Sequence, residues 1–582
     1  MTRKMNRNEW SDQYFDDTLK PLEWNKQADI KYKSLPEVTL SSLTETGREN
    51  IPILVLKQQS YTGRKPVIPS SLANTPCVDL GAAPLLERLN TVLGTSYNTE
   101  NPSLSTLLED YIAKEYDFGT LYGHLRPFWY DSLTDIEHKL RTREAKDLEM
   151  RRDVLVNNKI IDSSLHPRRV WDLYSNRVVP WWVARQLPHP ISHAWMDEHD
   201  RVDVLTPING HEWPVPIPKD ADLDLIRIEM LNLGAEYAWL DVLCLRQVGG
   251  RREDLRTEEW KVDVPTIGSP YDQSMCGVVY YFGGLGRPLN LKVCDFESDR
   301  SWFRRAWTLQ EITGSGDPII GGETGDDGAM EEAVRTRIQK QLSLLQDLGG
   351  NVVEKLSAMQ KRVSTNPVDR IAGLAYLVTV PTIGVPAYYE AQTEEDAWSE
   401  LVAVMMSWFR AQLFFSYPEP GSGSKVWRPS WTQVMNDALT LHDRQHWLRS
   451  IERTAETDAD YFEGLHIDSA HVRGLAEPSP EGRPRQGELI LKGRSGSKHT
   501  FKIIAEHQYP IPEDLYVLLR ENPFHLAGRS DVVGPTYCVV GKRHPPEQLF
   551  KKLSVFQIRD TEESRRLHDL DFSGSTKKIF LA

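Results

Sequence analysis

The residue that most strongly suggests chemistry is Glu311, which ends a short helical pattern over 301–311. Phe303, Trp307 and Glu311 are spaced by four residues, so on a helix they project from nearly the same face. Aromatic side chains on this face should turn inward, which places a carboxylate at the end of a buried stripe. A buried carboxylate is costly unless it is paired or used in a reaction. The alternative is a glutamate at a frayed helix end that reaches water, as most helical glutamates do.

Two other segments place polar groups among apolar ones. Asp241 lies inside the apolar run YAWLDVLCL (237–245), where a carboxylate needs a hydrogen-bonded partner for a structural or a functional role. Ser192 and Trp195 lie in PISHAWM (190–196), at the carboxyl end of a predicted strand. Ligands of open α/β sheets bind beyond this end, so the two side chains would offer a nucleotide a hydroxyl and a stacking plane. A turn hydrogen bond for Ser192 and core packing for Trp195 explain these residues equally well.

The elements around these residues alternate as in a parallel α/β sheet. A helix is predicted from Asp222 to Glu236, because apolar residues recur there at helical spacing. The shorter helix over 301–311 has Ser301 as its N-cap. Strands are predicted at 190–196, 237–245, 278–284 and 317–322. This β-α-β-β-α-β order predicts a small, doubly wound, flavodoxin-like domain of the α/β class.

The texture of the sequence divides the chain into four regions. These are a mostly helical N-terminal region over 1–167, the α/β domain over 168–325, a helical extension over 326–454 and a β-rich C-terminal domain over 455–582. In the helical extension, a capping pattern from Thr393 to Asp396 precedes an apolar stripe. The C-terminal domain is predicted from strand-like segments separated by Gly and Pro turns: GELILKG, HTFKIIAEH, LYVLLRE, YCVVGKR and KLSVFQI.

Composition argues against several classes of protein. The net charge of −14, without a basic run, argues against nucleic acid or an anionic membrane as a partner. Five scattered Cys without a CxxC pair favour reduced thiols of the cytoplasm over disulfides or zinc. The sequence has no signal-peptide pattern and no window with the roughly 20 apolar residues of a membrane span. His193, His199 and His211 lack the spacing of metal ligands, so no metal site is expected.

Several of these segments, in their order and spacing, resemble the successive blocks of the fungal heterokaryon-incompatibility (HET) domain. The blocks are ISHAW, YAWLDVLCLRQ, SMCGVVYYF and RAWTLQE, followed downstream by NPVDRIAGLAYL, PAYYEAQTEEDAWSELV and WRPSW. They cover about 168–431. The chain departs from the family pattern at Met196, where the family usually has Gly, and at Val242 and Arg246 in the central block.

The resemblance implies a fold similar to that of Toll/interleukin-1-receptor (TIR) domains, many of which hydrolyse NAD. It implies Glu311 as the catalytic carboxylate, Trp195 and Trp307 as walls of the pocket, and Ser192 and Asp241 as residues that hold loops or bind ribose. NAD would be a substrate, and no bound cofactor is implied. The implied role is a cell-death effector that acts after self-association, together with an incompatibility partner protein. The alternative is a non-enzymatic signalling module of the same fold.

Overall fold

The chain is described from a computed structural model and forms two compact units. The N-terminal unit comprises Met1–Gln346 with Ala387–Tyr389, and the C-terminal unit comprises Asp347–Pro386 with Glu390–Ala582. The structure describes residues 30–48, 52–272, 277–312, 318–325, 332–346, 348, 350–379, 384–437, 450–454, 457–480, 482–493, 496–520, 535–544, 549–570 and 577–582.

Among its described residues, the N-terminal unit contains twelve short strands, six of which pair into one sheet. They are β1 (Val38–Ser41), β2 (Ser60–Gly63), β3 (Leu155–Val156), β4 (Lys159–Ile160), β5 (Arg169–Asp172), β6 (Arg177–Pro180), β7 (His189–His193), β8 (Arg201–Val204), β9 (Val215–Pro218), β10 (Tyr237–Trp239), β11 (Val279–Tyr281) and β12 (Ile319–Ile320).

The main sheet has the strand order β12-β11-β7-β10-β5-β6. The strands β12, β11, β7 and β10 run parallel to one another, whereas β5 and β6 form an antiparallel hairpin at the edge beside β10. The strands predicted at 190–196, 278–284 and 317–322 are confirmed over part of their length, and that at 237–245 only over its first three residues. The chain is therefore of mixed α/β class, with β7 at the centre of the parallel strands.

Helices make up much of the rest of the N-terminal unit. They are α1 (Ser42–Thr46), α2 (Ser70–Ala73), α3 (Cys77–Leu80), α4 (Ala82–Leu93), α5 (Pro102–Ala113), α6 (Phe118–Leu125), α7 (Ile136–Asp153), α8 (Leu223–Asn232), α9 (Asp241–Cys244), α10 (Asp254–Asp263), α11 (Gly268–Asp272) and α12 (Glu332–Gln346). None of the helices in the described part of the chain combines the length and the apolar character that a membrane span requires.

The predicted helix between β7 and β10 is confirmed as α8. Asp222 is its N-cap, and the Asp222 side chain accepts a hydrogen bond from the Asp224 amide. Ile226 and Met230 are fully buried, as their helical spacing requires. This helix makes the connection that places β10 parallel to β7.

The prediction of one strand over 237–245 is wrong beyond its first residues. The strand β10 ends at Trp239, and the chain then turns into α9 at Asp241. The Asp241 carboxylate accepts a hydrogen bond from the Val242 amide at 2.7 Å, which favours a helical turn over continued extension. A short apolar run does not distinguish a buried strand from a strand followed by a buried helical turn. Asp241 therefore follows the strand instead of lying in its middle.

The predicted helix over 301–311 is also wrong. The segment forms two 3₁₀ turns, Trp302–Arg304 and Trp307–Leu309, and Ser301 makes no side-chain capping hydrogen bond. The Thr308 hydroxyl donates to the carbonyl oxygen of Trp302 at 2.6 Å and so ties the two turns together. Because a 3₁₀ turn has three residues, positions four apart do not share a face. The expected stripe of Phe303, Trp307 and Glu311 is therefore absent.

The C-terminal unit combines helices with an antiparallel β-structure. Its helices are α13 (Val352–Gln360), α14 (Asp369–Val378), α15 (Glu394–Val404), α16 (Ser407–Ser416), α17 (Trp431–Asn436) and α18 (Thr561–Asp569). Its strands are β13 (Val385–Pro386), β14 (Ile451–Arg453), β15 (Asp460–Arg473), β16 (Arg485–Lys492), β17 (Lys498–Ala505), β18 (Asp514–Arg520), β19 (Thr536–His544), β20 (Leu549–Ile558) and β21 (Lys577–Phe580).

Six of these strands close into a barrel. The pairings run β15-β16-β17-β20-β19-β18, and β18 pairs again with β15, so the circuit is complete. Every pairing is antiparallel. Closure leaves none of the six strands as a free edge. The five predicted strand segments correspond to β16, β17, β18, β19 and β20, so the β-rich character of this region is confirmed.

Candidate active site

The carboxylate of Glu311 lies at the carboxyl end of the central strand β7. Glu311 follows the second 3₁₀ turn, is only 8% exposed, and its Oε2 atom accepts a hydrogen bond from the Ser192 hydroxyl at 2.5 Å. Its backbone carbonyl accepts a hydrogen bond from the Tyr280 hydroxyl of β11 at 3.2 Å. Both strands at the centre of the parallel sheet therefore hold this residue.

Ser192 links Glu311 to an aromatic anchor. Ser192 is fully buried in β7, and its hydroxyl oxygen accepts a hydrogen bond from Trp302 Nε1 at 2.7 Å. The Trp302 ring packs edge-on against Tyr280 and Phe282, with centroid distances of 5.4 and 5.3 Å. Because the serine hydroxyl accepts from the indole, its own proton is directed to the carboxylate. The position of one carboxylate oxygen is thereby fixed.

His193 and Asp241 form a hydrogen-bonded pair next to this group. His193 Nε2 lies 2.9 Å from Asp241 Oδ1, and Trp195 Nε1 donates to Asp241 Oδ2 at 3.2 Å. The rings of His193 and Trp195 stack, with centroids 5.7 Å apart and an interplanar angle of 27°. Burial lowers the pKa of His193, but the charges of Asp241 and Glu311 and the hydrogen bond outweigh it. The net pKa is raised above the usual value.

Tyr271 lies close to both carboxylates. This buried tyrosine of α11 donates a hydrogen bond from its hydroxyl to the carbonyl of Ile191 at 3.1 Å. Burial raises the pKa of Tyr271 well above its usual value, and the charges of Glu311 and Asp241 raise it further. We call Ser192, His193, Asp241 and Glu311 the edge cluster. Two carboxylates, one imidazole and one hydroxyl thus converge where β7 and β10 end.

The two predicted tryptophans take different positions. Trp195 lies at the edge cluster, but one partner of its half-buried ring is His193, and the Arg201 guanidinium lies 5.9 Å from the ring centroid. Trp307 is half-buried and packs against Tyr388, with ring centroids 6.2 Å apart. The structure therefore joins Ser192 to Glu311 and Trp195 to Asp241 by hydrogen bonds, whereas the ring partner of Trp307 is Tyr388.

Sequence reasoning missed three contributors to this region. The stripe predicted for a helix over 301–311 does not include Trp302, and Tyr271 lies in a helix that the sequence pattern does not indicate. The sequence pattern brings in His193 only among the histidines that lack metal-ligand spacing. The signal for His193 is its position directly after Ser192 at the end of a predicted strand. Consecutive side chains of a strand point to opposite faces of the sheet and so meet different neighbours.

A group of potential metal ligands lies just beyond Trp195. Each of Asp197, His199 and Asp200 offers one potential ligand atom, and these three atoms lie within 4.8 Å of one another. Arg300 already pairs with both aspartates, at 2.6 Å from Asp197 and 3.1 Å from Asp200. Since a guanidinium occupies the position of the cation, these residues give no support for a metal centre.

Comparison with known proteins gives no relative: no family model, no curated protein and no solved structure matches this chain. The HET-domain resemblance therefore rests on the sequence blocks, and the assignment of a function rests on the edge cluster.

Proposed function

We propose that residues 168–325 form a HET domain of TIR-like, flavodoxin-like topology. Along the chain the parallel strands come in the order β7, β10, β11 and β12, and in space β7 lies between β10 and β11. The connection after β7 thus moves to one side of the sheet, and the chain then crosses to the other side. Such a switch point is where open α/β sheets bind their ligands. Ser192 and Glu311 lie at this point, which supports the proposal.

The proposed activity is hydrolysis of NAD to nicotinamide and ADP-ribose, with Glu311 as the catalytic carboxylate. The observation that carries the proposal is the anchored position of Glu311: a carboxylate buried at the switch point, with one oxygen held by Ser192 at 2.5 Å. A fixed negative charge in a poorly solvated site stabilises a developing positive charge far better than it would in water. The cell-death role and dependence on self-association are part of the same proposal.

In the proposed reaction, the bond between the nicotinamide nitrogen and C1 of the ribose breaks, and the bonding electrons leave with nicotinamide. The ribose then carries an oxocarbenium-like positive charge, as in glycoside hydrolysis. The Glu311 carboxylate stabilises this charge more than it stabilises the substrate. Water attacks C1 and loses its proton to solvent. Nicotinamide departs as a neutral molecule, so no general acid is required.

The second candidate is a non-enzymatic interaction module, and one observation favours it. Glu311 is 8% exposed and is engaged by the fully buried Ser192. A carboxylate held in this way can serve to fasten the segment after the 3₁₀ turns to β7. In that case Glu311 would matter for stability and not for any reaction.

Nicotinamide release by concentrated purified protein distinguishes the two candidates. Glu311→Gln keeps the size of the side chain and removes the charge, and we expect it to lower the rate at least about 100-fold. Ser192→Ala should retain the charge, lose the anchor and lower the rate less. Glu258→Gln, on an exposed face of α10, is the matched control and should leave the rate unchanged.

Each variant must first give the circular dichroism and melting behaviour of a folded protein. A folded wild type without activity at any concentration would favour the interaction module. Full activity in Glu311→Gln would show that another group carries the reaction.

A further inference from the structure

Three basic side chains of the C-terminal unit converge on one buried carboxylate. Asp460 begins β15 and is 2% exposed. Arg410 Nη1 of α16 and Arg453 Nη1 of β14 lie 3.6 and 3.8 Å from Asp460 Oδ1, and Lys425 Nζ lies 3.7 Å from Oδ2. The antiparallel register of β14 and β15 places Arg453 directly opposite Asp460. We call these four residues the cationic cluster.

The buried groups of the cationic cluster have hydrogen-bonding capacity left over. Asp460 Oδ2 accepts a hydrogen bond from Trp427 Nε1 at 3.2 Å. Within the part of the chain that the structure describes, Asp460 Oδ1 and the Nε and Nη1 atoms of Arg410 are buried and make no hydrogen bond. The 3.6 Å between Nη1 and Oδ1 is too long for one. Since buried polar groups nearly always have a partner, this set fits a ligand that supplies both an acceptor and a donor.

The positive charge in the buried part of the cluster is not fully offset. Burial lowers the pKa of Arg410, and the charges of Asp460 and Glu452 do not reverse this effect. Burial also lowers the pKa of the neighbouring Arg428, although Glu395 lies 3.6 Å from its Nη1 atom. A further negative charge at this place would stabilise both guanidinium groups.

The cluster can be reached from solvent on one side. The side chains of Lys425 and Arg453 are 34% and 26% exposed, whereas those of Arg410 and Asp460 are buried. Arg453 also pairs through Nε with Asp458 at 3.2 Å, but the Asp458 side chain is 77% exposed. Exposed ion pairs are weak, so an anion that enters from this side can compete with Asp458 for Arg453.

We propose that the cationic cluster is a binding site for a phosphate group, either as the free ion or as a monoester. The phosphate oxygens accept hydrogen bonds from Arg410, Arg453 and Lys425. The remaining phosphate hydroxyl donates to Asp460 Oδ1, because an ionised carboxylate can only accept. Sulfate has no proton in neutral water, so it cannot make this bond and the carboxylate repels it. The site lies in the C-terminal unit and does not depend on NAD hydrolysis.

Titration calorimetry of the whole chain with inorganic phosphate and with sulfate, at pH 7 and equal ionic strength, tests the site. We expect phosphate to bind at least about tenfold more tightly, because Asp460 accepts a hydrogen bond from phosphate and repels sulfate. Equal affinities for the two anions would overturn the role of Asp460. A lack of phosphate binding at millimolar concentration would overturn the site itself.

Variants of the cluster separate the contributions of its side chains. Lys425→Gln and Arg453→Gln change half-exposed positions, and each should weaken phosphate binding about tenfold. Asp460→Asn keeps an acceptor for Trp427 Nε1 and removes the charge, so it should bind sulfate as tightly as phosphate. Arg565→Gln, at a position of α18 that is 43% exposed, is the matched control and should leave both affinities unchanged.

Each variant must first melt as a folded protein. Should the buried Asp460→Asn fail to fold, the two half-exposed variants still decide the matter. Phosphate affinity that is unchanged in both Lys425→Gln and Arg453→Gln would overturn the proposal.

Methyl phosphate identifies the source of the phosphate group. A monoester loses its last proton near about pH 6, whereas inorganic phosphate still keeps one at pH 8. Tighter binding of inorganic phosphate at both pH 5.5 and pH 8 would support the free ion as the ligand. Tighter binding of methyl phosphate at pH 5.5, lost at pH 8, would support a monoester. Methyl phosphate that binds equally well at both pH values would overturn the hydrogen bond to Asp460.

Discussion

The buried cation Arg126 offers the most direct test of how the N-terminal unit is held together. Arg126 follows helix α6 and donates to Asp172 at 3.1 Å and to Glu236 at 2.5 Å. It also donates to the hydroxyl of Tyr237 at 3.0 Å. Through these bonds the N-terminal helices are connected to β5 and to the start of β10. The perturbation we choose is Arg126→Met, which keeps much of the side-chain volume and removes the charge and every donor.

The expected magnitude follows from burial. The side chains of Arg126 and Asp172 are 0% exposed, and that of Glu236 is 6% exposed. Removing the cation takes away the charge partner that these two buried carboxylates share. Breaking a buried ion pair in this way costs about 3–5 kcal/mol. Since 1.4 kcal/mol is a factor of ten, amide exchange through unfolding of the unit should accelerate roughly 100- to 4,000-fold.

Hydrogen exchange followed by mass spectrometry measures this effect within the unit. The informative peptides cover β5 and β10, whose register pairs Tyr237 with Asp172. Arg252→Met is the control, because Arg252 and its partner Asp254 are 63% and 64% exposed. We expect no resolvable change in the control, since exposed ion pairs contribute little. Peptides of the barrel serve as an internal reference in both variants.

A second variant tests the cause of the loss. Adding Asp172→Asn to Arg126→Met removes one of the two uncompensated charges, so part of the lost protection should return. The deficit of Arg126→Met should also shrink as pH falls, because burial raises the pKa of Glu236 and protonation removes its charge. Acceleration of less than about tenfold in β5 and β10 would refute the reasoning. It would mean that the carboxylates find other partners at low cost.

Three other predictions concern single side chains. Burial lowers the pKa of His124 to about 4. As pH drops from about 6.5 to 4, the unfolded chain therefore binds a proton at His124 that the folded chain does not, and the free energy of unfolding should fall by up to about 3 kcal/mol. His124→Gln should flatten this decline in urea titrations, and an unchanged slope would contradict it. Burial lowers the pKa of Lys552 to about 7, so the C-terminal unit should gain stability as pH rises from about 7 to 10.5. Lys552→Met loses the hydrogen bond to the Phe414 carbonyl but should still stabilise the unit by about 2–4 kcal/mol at pH 7. A lower melting temperature in this variant would refute the prediction. Thr393 accepts from the Asp396 amide as the N-cap of α15, so Thr393→Ala should cost about 1 kcal/mol in the same titrations, whereas no loss would show that the cap is dispensable.

The parallel strands were predictable because their sequence signal is local. A strand buried on both faces reads as a short apolar run, and 278–284 shows such a run around β11. The cap at Asp222 and the helical period that follows it likewise identified α8. The hairpin of β5 and β6 was not predicted. Its strands begin with Arg169 and Arg177, whose partners Glu259 and Asp117 are distant in sequence.

The sequence predicts which residues form the edge cluster better than it predicts how they are arranged. Ser192, Asp241 and Glu311 stand out in the sequence because polar residues among apolar ones need partners. Which partner each one finds depends on the strand order, since Glu311 lies 119 positions after Ser192. The 3₁₀ turns were hidden for a different reason. Residues four positions apart also occur in irregular segments. Here Phe303, Trp307 and Glu311 contact three different neighbours, which are Phe282, Tyr388 and Ser192.

A carboxylate paired with a basic side chain lies at each end of β10. Glu236 precedes the strand and shares Arg126 with Asp172. Asp241 follows the strand and forms its pair with His193. A guanidinium keeps its proton throughout the stable range of a protein, whereas an imidazole loses it near neutrality. The proposed site thus lies at the end of β10 whose basic partner is titratable, whereas the cation at the other end keeps its charge.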